Sequence, residues 1–221
     1  MPGLNDLRIL IADDHEIVRR GLKTLLSTRP GWTICAEAGS GREAITLASE
    51  HRPDIVVMDI SMPGLNGLEA TRRIRKMLPK CQVLILSLHY SDQLVREVLD
   101  SGARGYILKS DATRDLLKAI EALATHLSFF TSSAAQIIID GFRSPRPEKP
   151  AGGLMRERLS SREREIVQLL AEGKSSKEVA VILGISVKTA ETHRANIMRK
   201  LEMHSVSELV RYAVRNRMIE A

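Results

Sequence analysis

The sequence predicts an α/β domain built on a five-stranded doubly wound parallel sheet, followed by a small all-α domain of four helices. Three observations predict this. Short β-branched runs alternate with amphipathic helical patterns over the first half of the chain. Several of those runs are near-continuously apolar, as strands covered on both faces by helices must be. Beyond a proline-rich stretch, the pattern is helical only.

In order, the strand runs are RILIA (8–12), TICAE (33–37), IVVM (55–58), QVLIL (82–86) and GYIL (105–108). Between and after them lie helical patterns at 15–27, 42–50, 67–77, 92–101 and 113–125. Ser40 with Glu43 and Asn66 with Glu69 have the spacing of a capping box, in which each end of the pair satisfies a free helix donor. A short extra helix is expected over 132–142. RSPRPEKPAGG (143–153) then reads as an exposed linker. Beyond Leu159 three more capping-box pairs follow, Ser160 with Glu163, Ser175 with Glu178 and Ser205 with Glu208, and Ser186 can cap the segment from Val187. Gly173 and Gly184 fall where helices should stop. The divisions are therefore 1–128 for the α/β domain, 129–158 for the short helix and linker, and 159–221 for the helical domain.

Composition narrows the class. The aromatic fraction is 3%, so the cores must be aliphatic. No run approaches the ~18 apolar residues of a membrane span, and the N-terminus lacks the pattern of a signal peptide. Cys35 and Cys81 have no metal-ligand spacing and sit beside apolar strands, as two buried free thiols in a reducing cytoplasm would. The net charge is +6, and beyond residue 128 Lys and Arg outnumber Asp and Glu by five. That excess fits a nucleic-acid partner and equally a solvated surface.

The chemistry is expected at the carboxyl ends of the strands, where a doubly wound sheet keeps its functional groups. The first strand runs into Asp13 and Asp14, the third into Asp59, the fourth into Ser87 and the fifth into Lys109. If the first and third strands are neighbours, about 4.8 Å apart, three carboxylates come together. Such a cluster repels itself unless a divalent cation sits among them, and hard oxygen donors suit Mg²⁺. A carboxylate so placed can act as a nucleophile toward phosphorus. A hydroxyl and an ammonium are then the partners that phosphoryl oxygens require. Each residue taken singly is as well explained as a turn or cap; the ordered set is not.

ADDH (12–15), MDISMPGLNG (58–67), LS (86–87) and GYILK (105–109) resemble the receiver domain of bacterial two-component response regulators, over residues 7–126. LSSRERE, AEGKSSKEVA, LGIS, KTAETHRANIMRKL and SVSELVRYAV resemble a LuxR-type helix-turn-helix domain over 159–219. The whole chain thus resembles the NarL/FixJ class. The resemblance implies a flavodoxin-like receiver in which Asp59 accepts a phosphoryl group from a sensor histidine kinase. It implies that Asp13, Asp14, Asp59 and the backbone carbonyl of Ser61 bind Mg²⁺, and that Ser87 and Lys109 grip the phosphoryl group. Tyr106 would swing inward as Ser87 moves. A cis bond between Lys109 and Ser110 is raised by the same comparison, and Leu88 is larger than the residue many receivers carry there.

In the helical domain, 177–183 and the segment from Val187 have helix-turn-helix spacing. Val187, Ala190, Ile197 and Leu201 should face inward; Lys188, Glu191, Thr192, Ala195, Asn196 and Arg199 should face out. A polar outer face suits a DNA major groove, and is also what any amphipathic helix shows. The resemblance assigns base contacts on double-stranded DNA to Glu191, Thr192 and Ala195, and phosphate contacts to Lys188, Thr189, His193, Arg194 and Lys200. It assigns homodimer contacts to the last helix, through Val206, Leu209, Val210 and Ala213. In the unphosphorylated chain the receiver is expected to cover part of the DNA-reading helix and to release it on phosphorylation. Two other readings stay open here: an aspartyl-phosphate enzyme, and a DNA binder indifferent to phosphorylation.

Overall fold

The computed structural model describes residues 6–88, 90–131, 134–136, 159–216 and 218–219. The first half alternates β1 (Leu7–Ala12), α1 (Glu16–Leu26), β2 (Trp32–Ala38), α2 (Gly41–His51), β3 (Ile55–Asp59), α3 (Gly67–Met77), β4 (Gln82–Ser87), α4 (Asp92–Asp100), β5 (Gly105–Leu108) and α5 (Ala112–Ala124). A two-residue strand, β6 (Phe129–Phe130), follows. Four helices make the second half: α6 (Ser161–Ala171), α7 (Ser176–Leu183), α8 (Val187–Lys200) and α9 (Val206–Arg215).

The sheet is parallel, in the order β2-β1-β3-β4-β5-β6. It has six strands where the sequence pattern predicts five. The sixth is too short to show a period, and it exists because Phe129 and Phe130 pair with Gly105 and Tyr106 at the open edge of β5. Of the short helix expected over 132–142, residues 134–136 are helical; the remainder, and the linker to 158, lie outside the described residues.

Alternation along the strands fills two cores, one on each sheet face. Leu10, Val56, Met58, Val83, Ile85 and Tyr106 pack with α2, α3 and α4. Ile9, Ile11, Ile55, Val57, Leu84, Leu86 and Ile107 pack with α1 and α5. A third core, including Ile166, Leu169, Val179, Ala190, Ile197 and Leu209, holds the four-helix part. Ser160 and Ser175 form complete capping boxes with Glu163 and Glu178. At Ser40, Asn66 and Ser205 only the forward half forms, because Glu43, Glu69 and Glu208 bond elsewhere.

Packing is tightest where α3 meets the end of β3. A Cβ on Gly67 would lie 1.8 Å from the carbonyl oxygen of Asp59. That atom is backbone and has nowhere to go, so a side chain there must push α3 off the strand. Gly67→Ala is expected to lower stability by about 1–3 kcal/mol, the usual cost of overpacking. A thermal melt of the variant checks this, and an unchanged midpoint would mean that the strand end is looser than the packing indicates.

Candidate functional site

The register decides which side chains meet. Ala12 lies opposite Met58, Asp59 opposite Leu86, and Ser87 opposite Leu108. Each next residue therefore emerges at the same carboxyl edge: Asp13 from β1, Asp59 ending β3, Ser87 ending β4 and Lys109 after β5. The expected adjacency of the first and third strands is present. Asp13 is fully buried, and Asp59 and Ser87 nearly so.

Lys109 ties the pocket together. Its Nζ lies 2.7 Å from Asp13 Oδ2 and 3.0 Å from Asp59 Oδ1. Burial opposes its charge, but the hydrogen bonds and negative charges of Asp13 and Asp59 outweigh that and hold the ammonium above its usual range. For Asp59 the balance falls the other way. Burial, with the neighbouring Asp13 charge, pushes its carboxyl up to about 6 despite the attraction of Lys109. The second oxygen, Oδ2, is buried without a hydrogen-bond partner. One ligand atom each from Asp13, Asp14, His15 and Asp59 lies within 4.8 Å of the others. Ser61 is half-buried and lines a cavity together with Asp14. The carboxylates among these donors fit a small divalent cation: they are hard oxygens, they are clustered, and one has an unmet acceptor. Leu88 stands 58% exposed just past Ser87.

The switch region shows two features. Tyr106 is fully buried, its ring centroid 6.4 Å from that of Tyr90. It belongs to the core beneath α4, and its backbone pairs with β6. The described peptide bonds are all trans, that between Lys109 and Ser110 included.

On α8, Ala190 and Ile197 are buried, as is Leu201 at its end, whereas Val187 is 38% exposed at the first turn. Lys188, Thr189, Glu191, Thr192, Ala195, Asn196 and Arg199 are exposed, and His193 and Arg194 half-buried. Lys200 is engaged: its Nζ lies 3.0 Å from Glu163. On α9, Leu209 and Ala213 sit inside the helical core, so they cannot face a partner as expected; Val206 and Val210 keep surface. The reason is that a short helix must first bury one stripe against its own domain, and this pair forms that stripe.

Among the described residues, the outer face of α8 is exposed rather than covered by the receiver. The receiver grips α6 instead, through polar groups that the sequence pattern gave no reason to select. Glu165, its side chain fully buried, binds Arg42 and lies 2.8 Å from Arg73 of the α/β part. In return, Glu69 on α3 receives Arg164 at 3.1 Å. Burial alone would raise the Glu165 carboxyl, but Arg73 and Arg42 hold it below the usual carboxylate range. Gln168 clasps the β3–α3 loop directly. Its Oε1 accepts from the Asn66 amide at 2.8 Å, and its Nε2 donates to the Met62 carbonyl at 2.9 Å. The Gly64 amide donates to Glu172 at 2.9 Å. The contact therefore runs through the loop that follows Asp59 and contains Ser61.

Known proteins carry the same organisation. Residues 9–121 match the family described as "Response regulator receiver domain", and residues 157–213 the family "Bacterial regulatory proteins, luxR family". The chain is 36% identical to the "Oxygen regulatory protein NreC" of Staphylococcus epidermidis over 97% of this chain and 100% of that protein. It is also 36% identical to the "Response regulator protein VraR" of Staphylococcus aureus, over 97% and 99%. Among solved structures, a LuxR-family two-component response regulator from Aurantimonas sp. SI85-9A1 matches with a TM-score of 0.59 and 38% identity, covering 63% of this chain and 99% of that one. A complex described as "Structure of the two-component response regulator RcsB-DNA complex" matches with a TM-score of 0.57 and 26% identity, over 94% and 98%. With a receiver pocket at the sheet edge, a LuxR-type helical domain beyond it and relatives matched over nearly their whole length, the chain belongs to the NarL/FixJ class of two-component response regulators.

Proposed function

We propose that Asp59 accepts a phosphoryl group from a sensor histidine kinase, and that this modification controls DNA binding by the helical domain. The observation that carries the proposal is the single cation, Lys109, shared by Asp13 and Asp59 at the carboxyl edge of the sheet. Asp59 attacks phosphorus with a carboxylate oxygen; the new O–P bond forms as the bond to the donor atom breaks, and the donor leaves with its electron pair. Lys109 and Ser87 receive the phosphoryl oxygens. Mg²⁺ held by Asp13, Asp14, Asp59 and the Ser61 carbonyl would neutralise charge on the transferring group. Beyond its own phosphorylation and dephosphorylation, the chain acts as a regulator rather than an enzyme, in the cytoplasm and without a membrane partner. In the described residues, no helix is long and apolar enough to cross a membrane.

In this reading residues 1–128 receive the signal, 129–158 connect, and 159–221 bind double-stranded DNA. Glu191, Thr192 and Ala195 face base edges, while Lys188, Thr189, His193 and Arg194 hold phosphates. Lys200 acts through the capping box it steadies, unless Glu163 releases it to the backbone. The exposed α8 supports this assignment, as does the DNA complex formed by the RcsB relative. Homodimerisation uses the Val206 and Val210 surface of α9.

The control point is the contact on α6. Phosphorylation adds nearly two negative charges beside the β3–α3 loop. Gln168 and Glu172 bind the backbone of that same loop, so a shift there is felt directly by the helical domain. A switch needs two states that the phosphoryl group binds unequally, and the docked and undocked forms supply them.

The test is intact mass after incubation with acetyl phosphate and Mg²⁺. Wild type should gain one phosphoryl group and Asp59→Asn none. Equal gain in both would place the acceptor elsewhere.

A further inference from the structure

Between the two domains, beside the α6 contact, lies a cavity of about 570 Å³ that the phosphorylation chemistry does not use. Arg72 of α3 and Arg96, Glu97 and Asp100 of α4 line it from the receiver; Arg164 of α6 and Tyr212 of α9 line it from the helical domain. Gln93 joins the two sides, its Nε2 donating to Asn216 Oδ1 at 3.3 Å. The volume falls within the ~300–1,000 Å³ of small-molecule sites.

Cations outnumber their partners here. One carboxylate oxygen of Glu69, Oε2, serves both Arg72 at 3.2 Å and Arg164 at 3.1 Å, and Arg73 lies 3.5 Å from the other. Glu165 is likewise shared by Arg42, Arg73 and Arg162. Five guanidiniums thus meet two carboxylates at this boundary. Arg96 adds a sixth at the cavity, so the balance stays positive even with Glu97 and Asp100 counted. Burial and the adjacent Arg164 charge push the Arg72 guanidinium below its usual range, and the pull of Glu69 does not offset them. Each guanidinium has five N–H donors, more than a single shared oxygen can accept.

We propose that this cleft binds a phosphate ester of mononucleotide size, held by both domains at once. Phosphate matches the guanidinium fork in charge and geometry. The acids select an ester over bare phosphate: Glu97 and Asp100 repel a simple anion but accept hydrogen bonds from sugar hydroxyls. Tyr212 supplies an aromatic ring, the group on which bases stack. A ligand that needs both domains binds the docked form alone and stabilises it by mass action. It is therefore a restraint on DNA binding separate from Asp59, since no residue of the acidic pocket takes part.

The experiment is calorimetric titration of the full chain with AMP and GMP, without Mg²⁺ or a phosphodonor. One nucleotide should bind per chain. Inorganic phosphate and the two nucleosides should each bind at least about tenfold more weakly, because each supplies part of the match only. Arg72→Gln and Arg96→Gln should each weaken nucleotide binding about tenfold or more, the scale of one hydrogen bond to a charged group. Arg96 is exposed and Arg72 bonds within its own helix, so both variants keep the ion pairs between the domains; unchanged small-angle scattering checks this. Glu165→Ala, once scattering shows it undocked, should lose nucleotide binding. No binding of either nucleotide to wild type, unchanged affinity in both arginine variants, or wild-type affinity in undocked Glu165→Ala would each overturn the inference. Phosphate bound as tightly as the nucleotides would overturn it too, reducing the cleft to a simple anion site. None of these results touches Asp59, whose phosphorylation is tested separately by intact mass.

Discussion

Replacing Glu165 by alanine is expected to undock the two domains and raise DNA affinity in the absence of phosphorylation. The carboxylate is fully buried and binds Arg42 and Arg73 from the receiver as well as Arg162 from its own helix. Removing one partner from a buried ion pair typically costs 3–5 kcal/mol, because the remaining charge is left uncompensated. Arg42 and Arg73 retain some exposure, which puts the cost near ~3 kcal/mol. The guanidiniums can regain water without unfolding either domain, simply by separation. At ~1.4 kcal/mol per decade, the docked population relative to the undocked should fall about a hundredfold. Small-angle scattering should report a larger radius of gyration, and unphosphorylated Glu165→Ala should bind promoter DNA more tightly than wild type. Glu165→Gln should give a smaller effect in the same direction. If scattering and DNA binding both stay at wild-type values, the α6 contact is not the restraint.

Removing the Lys109 ammonium is the second large expected effect. With Lys109→Ala, Asp13 and Asp59 face each other without the cation that now lies 2.7 Å from one and 3.0 Å from the other. The attraction that partly offsets burial at Asp59 disappears, so its carboxyl, already pushed up to about 6, rises further. A larger fraction is then the neutral acid, which is a weak nucleophile. The phosphoryl oxygens lose their positive partner as well. Loss of one such preorganised electrostatic contact generally costs 10²–10³ in rate, and phosphorylation by acetyl phosphate should slow by about that factor. A time course of intact mass measures it. The residual rate should increase with pH, since ionised Asp59 is the reacting form, whereas Asp59→Asn should show none at any pH. Wild-type speed in Lys109→Ala would remove the lysine from the chemistry.

Much of this was legible in the sequence because it is periodic or local. Strand runs ending on Asp13, Asp59, Ser87 and Lys109 predict a shared edge, since a doubly wound sheet aligns the ends of its strands. Ser160 and Ser175 announce their helices because a capping box spans only four residues. The β6 strand was not legible: two residues carry no alternation, and its partner is 24 residues away in Gly105. The burial of Tyr106 was not legible either, because a rotamer is settled by the space around it.

The contact between the halves was hidden for a related reason. Glu165 and Gln168 look like ordinary polar positions of an amphipathic helix, and periodicity would leave them in water. They are buried because the receiver supplies Arg42, Arg73 and the amides of the β3–α3 loop. The sequence by itself determined the two kinds of domain, the order of the strands' functional residues and the polar face of α8, all of which follow from local patterns. Only the tertiary structure decided that α6 rather than α8 is held, that Leu209 and Ala213 belong to the core, and that His15 turns toward the acids. Those outcomes depend on partners distant in the chain, and burial becomes affordable for a charged group only once such partners are in place.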